Sequence, residues 1–151
     1  MYENFLLFYD VREELTKDKA LFQIALFLSE EMKTDTYQVL NSIVERENIA
    51  NTGLEKGIAV PHVTINNNTI SNAYLAVITF CPPVSDWLCN DETLVDKALC
   101  IVLPIDYNVK TRNIDKLTMI FKSLADDAFV DTLQLKSKSK EVVREIEKIV
   151  D

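Results

Sequence analysis

Glycine is scarce: this chain of 151 residues has two, Gly53 and Gly57. No Gly/Ser-rich linker, low-complexity tract or internal repeat interrupts it. Histidine is scarcer still, since His62 is the only one. A Cys/His zinc site would therefore need His62 and all three cysteines, Cys81, Cys89 and Cys100, to converge. The odd cysteine count forbids complete internal pairing, and the spacing has no C-x-x-C pattern, so reduced thiols in a cytoplasmic protein are expected. Basic residues are outnumbered, 16 Lys and Arg against 24 Asp and Glu, for a formal net charge of −8. That balance argues against a nucleic-acid binder and favours basic partners. No apolar run reaches the roughly 20 residues that span a bilayer. Within Met1–Asp10 the apolar run Phe5–Tyr9 follows Glu3 and no basic segment, so it does not read as a signal peptide. The sequon Asn67-Asn68-Thr69 has no meaning without secretion.

What is present is an ordinary globular composition, 48% hydrophobic and 26% charged, which suits one domain over residues 1–151. Ala20, Leu21, Ile24, Ala25 and Leu28 recur at helical spacing from Lys17 to Glu31. A second helix is predicted over Thr36–Glu47, opened by Asp35 with Gln38 three residues on and stopped by Asn48–Gly53. Three apolar runs then read as strands: Gly57–Val63, Ala73–Phe80 and Ala98–Leu103. The last two are almost continuously apolar, as in strands covered on both faces. Pro61 has no N–H, which places its strand at an edge, a start or a bulge. Asn66–Asn68 and Cys81–Pro83 are turn material. The final third is helical again: Ile114, Leu117, Ile120, Phe121 and Leu124 share one face, Phe129, Val130 and Leu133 a second, and Val142, Val143, Ile146, Ile149 and Val150 a third. The expected fold class is α/β (α+β), with one sheet between helical layers.

Both glycines and the only histidine fall in one stretch, Glu45–His62, which also carries an arginine at a helix end. A phosphoryl-carrying site needs a reachable nucleophile that is neutral near neutral pH, and imidazole meets that need. One ring nitrogen attacks while the other keeps its proton. Donors must meet charge spread over the transferring oxygens, a task suited to the planar fork of arginine. Backbone N–H groups of a glycine turn and a nearby hydroxyl add to it. Arg46, Thr52, the Gly53–Gly57 turn and His62 are those residue types within 17 positions. Taken singly, each also has a purely structural explanation: His62 as a core histidine, Arg46 as a helix C-terminal cation, Thr52-Gly53 as a helix stop.

Together, Arg46-Glu47 and Thr52-Gly53-x-x-x-Gly57-Ile58-Ala59-Val60-Pro61-His62 resemble the signature of the fructose/mannitol EIIA domains of the bacterial phosphotransferase system. Trp87 with Leu94-Val95, and Leu103-Pro104 followed by the Ile114/Leu117/Ile120 helix, resemble further family stretches. The resemblance implies a mixed sheet flanked by helices on both sides. It implies phosphorylation of His62 by the phosphocarrier protein HPr, transfer to an EIIB domain, and no metal or cofactor. It also implies that Arg46 helps to hold the phosphoryl group, with Thr52 beside it.

Three departures stand out. The second histidine of many family members falls on Asn113 by the register of the following helix, with Asn108 and Arg112 as neighbouring candidates. Asparagine still donates to a phosphoryl oxygen but cannot become a cation. Glu55 replaces a usual glycine, and Val63 a usual small residue, which narrows access to His62. These keep a second reading open: a stand-alone protein like the nitrogen-regulatory EIIA relatives, binding a regulated target with weak or absent phosphorylation. A Ser/His/Asp hydrolase has no G-x-S-x-G elbow to support it.

Overall fold

A computed structural model describes residues 5–67 and 70–151; part of the 67–69 sequon, the end of the Asn66–Asn68 turn and the first four residues lie outside them. The chain runs β1 (Leu6–Val11), α1 (Lys17–Met32), α2 (Thr36–Ile49), β2 (Gly53–Glu55), β3 (Ile58–Ala59), β4 (His62–Ile65), β5 (Tyr74–Phe80), β6 (Lys97–Pro104), α3 (Ile114–Ser123), α4 (Asp127–Gln134) and α5 (Ser139–Val150). The strands form one mixed sheet in the order β1-β5-β6-β3-β2, with β4 also on β6. β1 is parallel to β5, β5 antiparallel to β6, and β3 and β4 both parallel to β6.

Side-chain alternation along β5 and β6 divides the core in two. Ala76, Ile78, Cys100 and Val102 face α1 and α2, with Leu21, Ile24, Leu28, Val39 and Ile43. Leu75, Val77, Leu99 and Ile101 face α3, α4 and α5, with Leu117, Ile120, Leu133, Val142 and Ile146. Both central strands are thus covered on both faces, which is why their sequences are nearly all apolar.

Helix starts follow local chemistry. Thr16 accepts from Lys19 N at α1 and Asp35 from Gln38 N at α2, satisfying amides that no helical carbonyl reaches. α2 runs two residues past its expected end, and β1 is a strand where only an apolar run was evident. The Gly57–Val63 run is two short strands on one track. Ile58 lies opposite Lys97 and His62 opposite Ile101, four residues on along both chains, so nothing is inserted between them. Pro61 falls in the gap, where its missing N–H costs no ladder bond, and its carbonyl accepts from Ile101 N at 2.9 Å. Past Pro61 the track is an edge strand, and this presents His62 beside the end of α2.

Candidate functional site at the end of helix α2

His62 opens β4, half-buried, and borders a cleft of about 360 Å³. Helix α2 lines it with Ser42, Glu45, Arg46 and Ile49; β4 with His62, Val63 and Thr64; the β6 end and its following loop with Leu103 and Tyr107. On another side the His62 ring stacks loosely on Phe121 of α3, with centroids 6.4 Å apart. Nδ1 is buried and makes no hydrogen bond of normal geometry. Nε2 is not buried in this way, so it is the more accessible ring nitrogen. Burial disfavours the imidazolium, and the Arg46 charge disfavours it further; the Val60 backbone and the Glu47 carboxylate oppose them, and the net effect holds His62 below the ordinary 6.5. At neutral pH the ring is therefore an uncharged base with a free lone pair.

Arg46 stands in the last turn of α2, half-buried, and one of its Nη1 hydrogens binds the Ala50 carbonyl at 2.9 Å. That bond anchors the guanidinium at the helix end while its other donors have no partner among the described residues. Thr52, expected beside Arg46, is buried and does not line the cleft. Its carbonyl accepts from Val60 N at 3.0 Å and its Oγ1 has no partner. Between the two sits Glu47, buried, with Oε1 3.0 Å from Lys17 Nζ and Oε2 unpartnered. Among the described residues four buried side-chain polar atoms lack a hydrogen bond, and three are Glu47 Oε2, Thr52 Oγ1 and His62 Nδ1. Buried polar groups are almost always satisfied, so each of these atoms has bonding capacity that a water or a reacting group would meet.

Several expected participants have other tasks. Asn113 is buried at the head of α3, in left-handed backbone with φ of 74°. Its Nδ2 donates to the Ala73 carbonyl at 3.3 Å, and it does not line the His62 cleft. The register count found the helix start correctly, but the tight cap turns this amide into the sheet. Asn108 N and Lys110 N bond within the preceding loop, to Thr111 Oγ1 and Asn108 Oδ1, and Arg112 accepts from Ala73 N through its backbone. The glycine turn is not a free anion cradle either. Gly53 N donates to Asn51 Oδ1 and Gly57 N to Thr93 Oγ1. The glycines answer to packing: a Cβ on Gly53 would sit 2.6 Å from the Leu88 carbonyl, and Gly57 has φ of 78°. Glu55 is exposed and lines a separate groove with Leu54 and Asp91, so its charge is directed away from His62. Val63 is buried in the first core under the cleft.

The sequence reading gave no role to Glu47, although it stood in the Arg46-Glu47 pair, nor to Lys17, Asn51 or Tyr107. Asn51 ties the neighbourhood together. Its Oδ1 accepts from Trp87 Nε1 at 3.0 Å and its Nδ2 donates to the Leu88 carbonyl at 2.6 Å. Among the described residues no group of three or more His, Cys, Asp or Glu is arranged to hold a metal ion. Cys81 is exposed and Cys89 and Cys100 are buried, all as free thiols. Within the same described set no helix is long and apolar enough to cross a membrane.

The family model described as phosphoenolpyruvate-dependent sugar phosphotransferase system, EIIA 2, matches residues 7–149. The chain belongs to that EIIA family. It is 26% identical over 127 residues to nitrogen regulatory proteins of Klebsiella oxytoca and Escherichia coli K12, covering 84% of this chain and 76% of each relative. Its fold is that of the nitrogen regulatory protein IIA-Ntr from Neisseria meningitidis, with TM-score 0.73, 20% identity, and coverage of 94% of this chain and 96% of that one. Escherichia coli IIA mannitol has the same fold, with TM-score 0.63, 17% identity, and coverage of 97% and 98%. A mannitol IIA solved in complex with phosphorylated IIB is likewise similar, with TM-score 0.63 and 14% identity.

Proposed function

We propose that this EIIA-family chain carries a phosphoryl group on Nε2 of His62, taken from a phosphorylated HPr-like carrier and passed to an EIIB domain. The observation that supports this reading is the ring itself: one nitrogen buried, the other open to a cleft shared with Arg46, and the whole held neutral. In the forward step the Nε2 lone pair forms a bond to phosphorus. The donor's P–N bond breaks, and its electron pair returns to the donor imidazole. The proton on Nδ1 stays where it is, so no general base is needed. Arg46 has guanidinium donors to spare for the equatorial oxygens, and the buried Thr52 hydroxyl is a further donor without a partner among the described residues. No metal or cofactor enters this scheme. The cytoplasm, where such a phosphorylated carrier would be met, is the compartment the proposal assigns.

The test is incubation with phosphorylated HPr followed by intact-mass measurement. An acid-labile gain of one phosphate is expected, absent from His62→Ala. Unmodified wild-type protein under saturating donor would defeat the proposal.

A second reading has its own support. The curated relatives are named nitrogen regulatory proteins, and exposed apolar surface borders the His62 cleft, Ile49 at 80% and Tyr107, with its aromatic ring, at 50% exposure. Such a rim suits docking of a regulated target protein, with phosphorylation of His62 as the switch. Affinity capture with wild type and His62→Glu separates the readings: equal partners and equal affinities would exclude the switch.

A further inference from the structure

With Asn113 turned toward Ala73, the β6–α3 side of the His62 cleft lacks the donor that a histidine there would supply. Tyr107 is the polar side chain that this side does present. The residue is placed by its backbone, whose N–H binds the Pro104 carbonyl at 3.1 Å. The loop beyond it is braced by Asn108 N on Thr111 Oγ1 at 2.9 Å and Lys110 N on Asn108 Oδ1 at 2.8 Å. The Tyr107 hydroxyl has no partner among the described residues, and its ring is half-exposed at the cleft. The hydroxyls on the other side are already engaged: Ser42 Oγ accepts from Thr64 N at 2.9 Å and contacts Thr64 Oγ1 at 3.4 Å.

We infer that Tyr107 is a catalytic residue of the phosphoryl transfer, its hydroxyl donating a hydrogen bond to an equatorial oxygen of the group in flight. The inference rests on His62 being the phosphoryl acceptor, as proposed above. The phenol gives up no proton and takes none. The bond made is His62 Nε2 to phosphorus, the bond broken is donor nitrogen to phosphorus, and the electron pair goes back to the donor. Tyr107 lowers the barrier by meeting negative charge on the oxygens alongside Arg46. It occupies the role, though not the sequence position, of a second polar group facing the acceptor histidine.

Single-turnover phosphorylation of wild type and Tyr107→Phe tests it, with two donors: phosphorylated HPr, which docks, and potassium phosphoramidate, which does not. The substitution removes one oxygen from an exposed ring and keeps the apolar surface. The maximal rate is expected to fall about a hundredfold with both donors, at the low end of the loss caused by removing a transition-state donor. The concentration of phosphorylated HPr giving half-maximal rate should not move. Equal maximal rates would overturn the assignment, as would a rise confined to half-saturation by HPr, which would make Tyr107 a docking residue. Wild type that accepts no phosphate from either donor would overturn the acceptor role of His62 and this inference with it. Labelled wild type with an unaffected Tyr107→Phe overturns this inference alone.

Discussion

Asn51 and Thr52 are adjacent in the chain and opposite in bonding. Asn51 uses both ends of its amide, accepting from Trp87 Nε1, Gly53 N and Lys17 Nζ and donating to the Leu88 carbonyl. One residue on, Thr52 Oγ1 is buried with nothing to bond among the described residues, as are Glu47 Oε2 and His62 Nδ1. The Asn51 side joins the α1 start, the Trp87 loop and the β2 hairpin into a rigid support. The Thr52 side holds capacity in reserve. An unmade hydrogen bond in a buried place costs about 1–3 kcal/mol, so three together are a standing cost to the fold.

The contrast gives graded expectations. Asn51→Ala should be the most damaging, losing about 3 kcal/mol by orphaning Trp87 Nε1, the Leu88 carbonyl and Gly53 N together; urea denaturation measures it. Lys17→Met removes the counter-charge from a Glu47 side chain that is 3% exposed. Because Lys17 itself is partly exposed, the loss should be nearer 2 kcal/mol than the larger values of fully buried pairs. Thr52→Val should go the other way, stabilising by about 1 kcal/mol because an unsatisfied hydroxyl becomes an apolar isostere, while slowing phosphate uptake. A destabilised Thr52→Val would mean that the hydroxyl is satisfied in solution, and the contrast would fail.

The smallest effect is a pH slope. His62 is held below its unfolded value, so as pH falls through about 6.5 the unfolded chain takes up a proton before the folded one does. Wild-type stability should therefore drop between about pH 7 and pH 5 by a component that His62→Gln lacks. At the opposite edge of the sheet, Asp10 is held below the ordinary carboxylate value: burial works against its charge, but hydrogen bonds from Thr79 and Ser139 outweigh it. Its contribution is present above that value and lost at more acidic pH, so the two components separate along the pH axis.

Much of this was legible in the chain because it rests on local rules. Apolar periodicity located the helices from Lys17, Thr36 and Ile114, and the continuous apolar strands implied cover on both faces, which the two cores provide. The grouping of Arg46 with His62 came from their residue types in one short stretch together with the family resemblance, and both line one cleft. What was not legible depends on partners distant in sequence. β1 is a strand because Leu6–Val11 pairs with Leu75–Phe80. Asn113 points at Ala73 because of a left-handed cap, and no register count reveals a φ angle. The glycines looked like a phosphate cradle, yet the Leu88 carbonyl and Asp96 explain them by close packing. Tyr107 was invisible because a loop conformation, and no motif, brings it to the cleft.

The central claim is that Nε2 of the only histidine is the phosphoryl acceptor. Long-range ¹H–¹⁵N correlation on ¹⁵N-labelled protein reads it without ambiguity, since a single imidazole contributes. Before phosphorylation the ring should be neutral at neutral pH, with the proton on Nδ1 and Nε2 bare. After treatment with phosphorylated HPr the phosphorus should be attached to Nε2. Attachment at Nδ1, or an imidazole spectrum unchanged by a saturating donor, would contradict the account.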